Sequence, residues 1–343
     1  MRFGVALPPS GQISELTSLA RSIERLGCDW LWINEDRLQR DSFTVLAALA
    51  TSTDSIFLGP GVTNPFTRHP ALIATAIATL DELSGGRAAL GLGAGGTNHR
   101  MLGLERRAPA TALRDAVTVI RHLIAGEIVT VEGDTVRVRD AELDFSPVRD
   151  RIPLYIGARG PKILELGGEV ADGVIIGNLA TATGWRYALE RIHAGARRAG
   201  RDAGEVELIA WLYTSIDDDR DAALDAVRHM VATTLVTSRP ILEQLGVDLP
   251  PRFAHEMERA HWQLSSAAIE PASVLVPDEL IGKFALAGTV ADCRGALGRL
   301  LDAVPEITGV VIVPFAPRGS TRKQIVEWFM TEVRDRQVER MGG

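Results

Sequence analysis

The residues of this chain with the chemistry to act on a small molecule are few, and they fall in short polar breaks after apolar runs. Glu35 and Asp36 follow one such run and could hold or move a proton; His99 follows another and could donate to a ligand. Gly157-Ala158-Arg159-Gly160 runs into Pro161, a residue suited to the first turn of a helix, so the free N–H groups there could hold an anion such as a phosphate. Gly177-Asn178-Leu179 ends the next apolar run and could add further donors, while Arg159 and Lys162 bring positive charge nearby. Each glycine segment also reads as an ordinary tight turn, and Glu35 and Asp36 also read as a solvated pair beside Arg37 and Arg40. There is no Gly-x-Ser-x-Gly, no His-Glu-x-x-His and no cluster of metal ligands. His255 and His261 are six apart, off-phase for one helix face, so no metal site is expected.

The elements that must position these residues alternate strand and helix almost from the start. Strand-like runs are Phe3 to Leu7, Asp29 to Asn34, Ile56 to Val62, Arg87 to Leu92, Pro153 to Ile156, Gly173 to Ile176, Glu207 to Tyr213 and Gly309 to Val313. Between them lie segments of helical periodicity, among them Pro70 to Leu83, stopped by Ser84-Gly85-Gly86, and Lys162 to Ala171. Ile128 to Val138 alternates around Glu132-Gly133-Asp134 and predicts a β-hairpin. The rhythm breaks over about 238–287, where three prolines (Pro240, Pro250, Pro251) and a helical pattern over Arg252 to Leu264 predict an insertion between the seventh and eighth strands. A closing helix is expected over Arg322 to Arg334. Eight short apolar strands covered by helices predict a TIM (β/α)8 barrel in a single domain, with the chemistry at the carboxyl ends of the strands.

The bulk composition agrees. The 343 residues are 46% hydrophobic, ample for a large core, and the net charge is −7 with no basic stripe, which excludes a nucleic-acid binder. No 18-residue apolar stretch predicts a membrane span. Cys28 and Cys293 match no metal or redox spacing, which suits a reducing, cytoplasmic compartment.

The stretch Ile56 to Gly96, with Gly59-Pro-Gly-Val-Thr-Asn-Pro-Phe66 at its start, resembles the luciferase-like superfamily, and most of all its deazaflavin-using branch typified by methylenetetrahydromethanopterin reductase. Trp30 to Asn34, Ala171 to Gly177 and Phe284 to Val290 carry the same resemblance, which spans nearly the whole chain and is weakest in the insertion. It implies an oxidoreductase using coenzyme F420 to move a hydride to or from a small organic C=N, C=O or C=C group, working as a homodimer or higher homo-oligomer. It also implies a non-prolyl cis peptide at Gly61-Val62 against the back of the cofactor ring, with Asn64 facing the ring or substrate or else capping the turn at Pro65. Gly157 to Gly160 and Gly177 to Leu179 match the phosphate-holding loops. The likeness has gaps: Ala6 stands where the methanopterin reductases have a first-strand Glu, Gly96 where they often have an Asp, and Glu35-Asp36 where other members have Asp-His. The cofactor is therefore expected and the methanopterin substrate is not. The alternatives are an FMN-dependent monooxygenase of the same fold and a non-catalytic flavin-binding barrel.

Overall fold

A computed structural model describes residues 1–35, 38–96 and 101–335. Among the described residues, nine strands belong to one sheet and two more form a separate antiparallel hairpin. The chain divides into two compact units, one of residues 2–175 and 191–208, the other of residues 176–190 and 209–343 with Met1.

The first unit carries strands β1 (Arg2–Leu7), β2 (Trp30–Ile33), β3 (Phe57–Pro60), β4 (Leu90–Gly93) and β7 (Leu154–Ala158). The hairpin β5 (Val129–Glu132) and β6 (Arg137–Ala141) lies between β4 and β7 in the chain, turning at the expected Gly133. β1, β2 and β3 pair in parallel in chain order, single parallel bridges at Leu58 and Ala88 and at Thr63 and Leu92 join β3 to β4, and β4 pairs in parallel with β7. Parallel pairing requires a crossover between strands. Helices α1 (Ile13–Arg25), α2 (Ser42–Ala50), α3 (Pro70–Ser84) and α4 (Pro109–Ile124) supply crossovers. Helix α3 shows how locally this is encoded: Pro70 occupies its first turn, and Gly85 and Gly86 stop it at φ 69° and 84°.

Aromatic side chains fill the space enclosed by these strands. Trp30 and Trp32 of β2 are each 1% exposed, and the Trp32 ring meets Tyr155 of β7 edge-on at 5.6 Å. Trp32 fits because β3 and β4 carry glycine opposite it. A Cβ on Gly59 would stand 2.9 Å from Trp32 Cζ3, and one on Gly91 would stand 3.3 Å from it.

Helix α5 (Pro161–Val170) follows β7, and α6 (Ala182–Arg198) follows β8 (Gly173–Gly177). α5 packs against the second half of α6 almost without side chains. A Cβ at Gly168 would lie 2.0 Å from the Ile192 carbonyl oxygen, and one at Gly195 would lie 1.8 Å from that of Glu165. Glu169, its side chain 6% exposed, receives ion pairs from Arg114 of α4 and Arg198 of α6. The helix that opens at Gly160 is thereby fixed at its far end.

In the second unit β9 (Glu207–Ile216) pairs in parallel with β11 (Gly309–Pro314) and, through its last residues, with β10 (Ala285–Gly288). β10 was not expected as a strand; its four residues are too short to register against the irregular sequence around them. The segment 238–287 is not a simple loop: it holds α8 (Pro251–Arg259), α9 (Ser266–Ser273) and α10 (Asp278–Phe284), and the preceding helix α7 (Arg220–Thr237) packs on β10, α9 and α10. Helix α11 (Val290–Ala303) leads to β11. The expected closing helix is α-helical only as α12 (Arg322–Trp328) and continues as a π-helix over Phe329–Arg334. Among the described residues no helix is long and apolar enough to cross a membrane.

Candidate active site

The ends of β3, β4 and β7 build an apolar floor. β3 stops at Pro60, and the next peptide, Gly61-Val62, is cis. Val62 then turns its isopropyl group toward three glycines. Added Cβ atoms on Gly91 and Gly157 would stand 3.2 and 2.9 Å from Val62 Cγ1, and one on Gly93 would stand 2.5 Å from Cγ2. Any side chain at 93 or 157 would collide with Val62, so these glycines are required by the close approach rather than by backbone torsion. The same added Cβ on Gly91 would also stand 3.3 Å from Trp32 Cζ3, so Val62 and Trp32 both crowd that glycine.

Asn64, 1% exposed, belongs to the turn that follows. Its Oδ1 accepts from the N–H of Phe66 (3.1 Å) and of Thr67 (3.0 Å), and its Nδ2 donates to Thr67 Oγ1 (2.8 Å). The turn-capping reading of Asn64 matches this geometry, which leaves one Nδ2 hydrogen for anything else. Thr63 beside it is fully buried, with no hydrogen-bond partner for its hydroxyl.

Beyond β2, Glu35 is half-buried and held in place: its Oε2 accepts from the hydroxyl of Ser42 at 2.9 Å, and Ser42 is fully buried at the start of α2. Asp41 caps that helix through the Thr44 N–H (2.8 Å) and also pairs with Arg68. Burial alone would raise the Asp41 carboxyl, but the Thr44 and Arg68 hydrogen bonds outweigh it and hold it below the usual range. Next to Glu35, Asn34 has its Oδ1 buried with no hydrogen-bond partner. Asp36 and His99 lie outside the described residues.

At the end of β7 the segment Gly157 to Gly160 leads into α5, with Gly160 as its N-cap and Pro161 in its first turn. An added Cβ on Gly160 would meet nothing within 4 Å, so its backbone is open on that side. Ala158 and Arg159 are half-buried, and Lys162 is exposed. In the second unit, Gly177 is likewise open where a Cβ would stand. Asn178 takes a left-handed turn (φ 55°), is 7% exposed, and keeps its Oδ1 buried without a hydrogen-bond partner. Leu179 is 1% exposed, and its carbonyl accepts from Trp185 Nε1 at 2.7 Å, so its side chain belongs to the core.

Sequence reasoning missed Ser42, whose role depends on a contact seven residues back, and placed Asn34 at the end of a strand without a role of its own. Tyr213 of β9 is half-buried and meets Phe315, just after β11, edge-on at 5.4 Å. Among the described residues no three of His, Cys, Asp and Glu come together as a metal site.

The model of the luciferase-like monooxygenase family matches residues 1–304. The 5,10-methylenetetrahydromethanopterin reductase of Methanolobus tindarius is 36% identical over 97% of this chain and 99% of its own length. The F420-dependent glucose-6-phosphate dehydrogenase of Nakamurella multipartita is 35% identical over 71% of this chain and 76% of its own length. Among solved structures, the coenzyme F420-dependent tetrahydromethanopterin reductase of Methanopyrus kandleri matches with a TM-score of 0.85 at 32% identity, covering 98% of this chain and 99% of that one. With its parallel sheet, covering helices and near full-length likeness to the two methanopterin reductases, the chain is a TIM barrel and belongs to the luciferase-like monooxygenase family.

Proposed function

We propose that this chain is a coenzyme F420-dependent oxidoreductase acting on a small organic substrate, and the observation that carries the reading is the Val62 floor with its three facing glycines. A flat ring needs a flat, unyielding support, and Val62 packed closely against Gly91, Gly93 and Gly157 offers one. The donor set suits the rest of such a cofactor. The open backbone at Gly160, at the start of a ten-residue helix, suits a phosphate, and the unpartnered carbonyl of Asn34 suits a ring N–H. Gly177 and Asn178 have the same qualities in their own unit. A methanopterin reductase that matches over nearly the whole chain, and a glucose-6-phosphate dehydrogenase that matches over 71% of it, carry methanopterin reduction or F420 dependence in their names, as does the solved reductase of Methanopyrus kandleri.

When bound, the deazaflavin supplies hydride exchange at a carbon centre that reacts poorly with oxygen. The chain's own residues then have three tasks. Val62 and its packing hold the ring face and exclude water from it. The Gly157 to Gly160 segment anchors the phosphate and so fixes the ring's position. Glu35, oriented by Ser42, holds or moves a proton at its Oε atoms; Asp36 and His99, which lie outside the described residues, are the other ionisable candidates from the sequence. Hydride addition to the carbon of an iminium needs no proton, whereas a neutral imine takes a proton on nitrogen, a C=O bond on oxygen, and an activated C=C bond on the carbon next to the activating group. Ala6 is fully buried on β1, so no carboxylate comes from that strand. The two cysteines are buried and form no disulfide, in keeping with a cytoplasmic enzyme, and a homodimer or larger homo-oligomer is its expected form.

The test is turnover. Reduced F420 should be oxidised anaerobically in the presence of one class among imines, ketones and enones. Oxygen-dependent turnover with reduced FMN, and none with F420 across the three classes, would replace this reading with that of a monooxygenase.

A further inference from the structure

The end of helix α7 carries a cavity that none of the preceding chemistry uses. It measures about 550 Å³ and is lined by Val236, Thr237, Arg239, Pro240, Trp262 and Leu264. That volume lies in the range of small-molecule sites. Val236, Pro240 and Leu264 make an apolar side. Arg239 and Trp262 make the other, with the guanidinium carbon 3.5 Å from the indole centroid.

Two features set this pair apart from an ordinary surface contact. First, Trp262 is placed by an unusual backbone. α8 ends in two successive left-handed residues, His261 (φ 49°) and Trp262 (φ 54°), where helices usually end in glycine, and the Trp262 N–H donates back to the Met257 carbonyl at 2.8 Å. Second, among the described residues no carboxylate pairs with Arg239, although the chain has 44 acidic residues against 37 basic ones. Beside it Ser238, 1% exposed, has its hydroxyl buried with no hydrogen-bond partner.

We propose that this cavity binds a small organic anion with an aromatic or apolar body, the body against Val236, Leu264 and the indole, the anionic group on the outward N–H donors of Arg239. A stacked guanidinium keeps its edge free, and an edge of parallel N–H donors matches a carboxylate. The proposal does not depend on the cofactor reading, because every residue in it lies outside the segments assigned to F420.

The experiment is calorimetric titration of the protein, with F420 present at saturation, using 1-naphthoate and its neutral analogue 1-naphthalenemethanol. One naphthoate should bind per chain, at least tenfold more tightly than the alcohol. Arg239→Gln should remove that tenfold advantage and leave alcohol binding unchanged, and Trp262→Leu should weaken both ligands while circular dichroism stays native. Equal affinity for acid and alcohol, full naphthoate binding in Arg239→Gln, no binding at all, or naphthoate binding only without F420 would each overturn the proposal. A change of oligomeric mass in Arg239→Gln, measured by light scattering, would also overturn it by making the cavity a contact between copies of the chain.

Discussion

Gly93→Ala tests the floor at its tightest point. The new Cβ would stand 2.5 Å from Val62 Cγ2, while carbon atoms in ordinary contact sit about 3.5–4.0 Å apart, so about 1 Å must be made up by movement. Val62 is β-branched and stiff, and its other methyl already faces Gly157 and Gly91, so it has no free direction in which to rotate. Overpacking of this kind costs about 1–3 kcal/mol. Val62→Ala alone should cost about 1 kcal/mol, because the side chain is only half-buried. The double variant should be more stable than the sum of the two predicts, by about 1–2 kcal/mol, because truncating the valine vacates the space that the new methyl on the facing strand needs. Urea unfolding of the four proteins gives the cycle. F420 titration on the same set should show Gly93→Ala binding at least tenfold more weakly, which is about 1.4 kcal/mol. Strict additivity in the unfolding cycle would refute the packing argument. An unchanged F420 affinity in Gly93→Ala would refute the role of Val62 as the ring's support.

The other predictions concern the parts around that floor. Gly160→Asp should fold normally, since its Cβ meets nothing within 4 Å, yet bind F420 at least tenfold more weakly through repulsion of the phosphate, as fluorescence titration would report. Gly168→Ala, whose Cβ would stand 2.0 Å from the Ile192 carbonyl oxygen, should lower unfolding free energy by about 3 kcal/mol, read by urea denaturation. Asp172 is held below its usual range: burial raises its carboxyl, but the Leu154 N–H and the guanidinium groups of Arg121 and Arg151 outweigh burial. The folded state therefore takes up its proton later than the unfolded chain. The resulting stability is present above the unfolded Asp value of about 3.9 and is lost as pH falls below it, so Asp172→Asn should flatten the acid limb of a stability–pH curve. Ser42→Ala should lower kcat by freeing Glu35, with helix α2 still capped by Asp41, and Ser42→Thr should recover part of the loss in steady-state assays.

The alternation of elements was legible because each strand is a short apolar run bounded by turn residues, and because signals such as Pro70 and Gly85 act within one helix. What stayed hidden depends on contacts distant in sequence. β10 has only Ala285–Gly288 to mark it, and it exists because β9 runs on to Ile216 and offers it a partner. Within 238–287 the helical pattern over Arg252 to Leu264 showed α8, whereas α9 and α10 were obscured by prolines, Pro271 standing inside α9 and Pro277 capping α10. At the site, the glycines at 91, 93 and 157 are visible in sequence, but their common cause, a single Val62 side chain, is not. The pairing of Glu35 with Ser42 is invisible for the same reason. Asn64 was ambiguous between ring contact and turn cap, since an asparagine before proline suits both.

The central claim is that this barrel holds a deazaflavin. The most direct measurement is a competitive equilibrium titration of the purified protein with F420 and FMN under identical conditions, followed by the fluorescence of each. The account predicts that F420 binds more tightly and displaces FMN, and that Gly160→Asp erodes this preference. FMN bound tenfold or more tightly than F420 by the wild-type protein would contradict it.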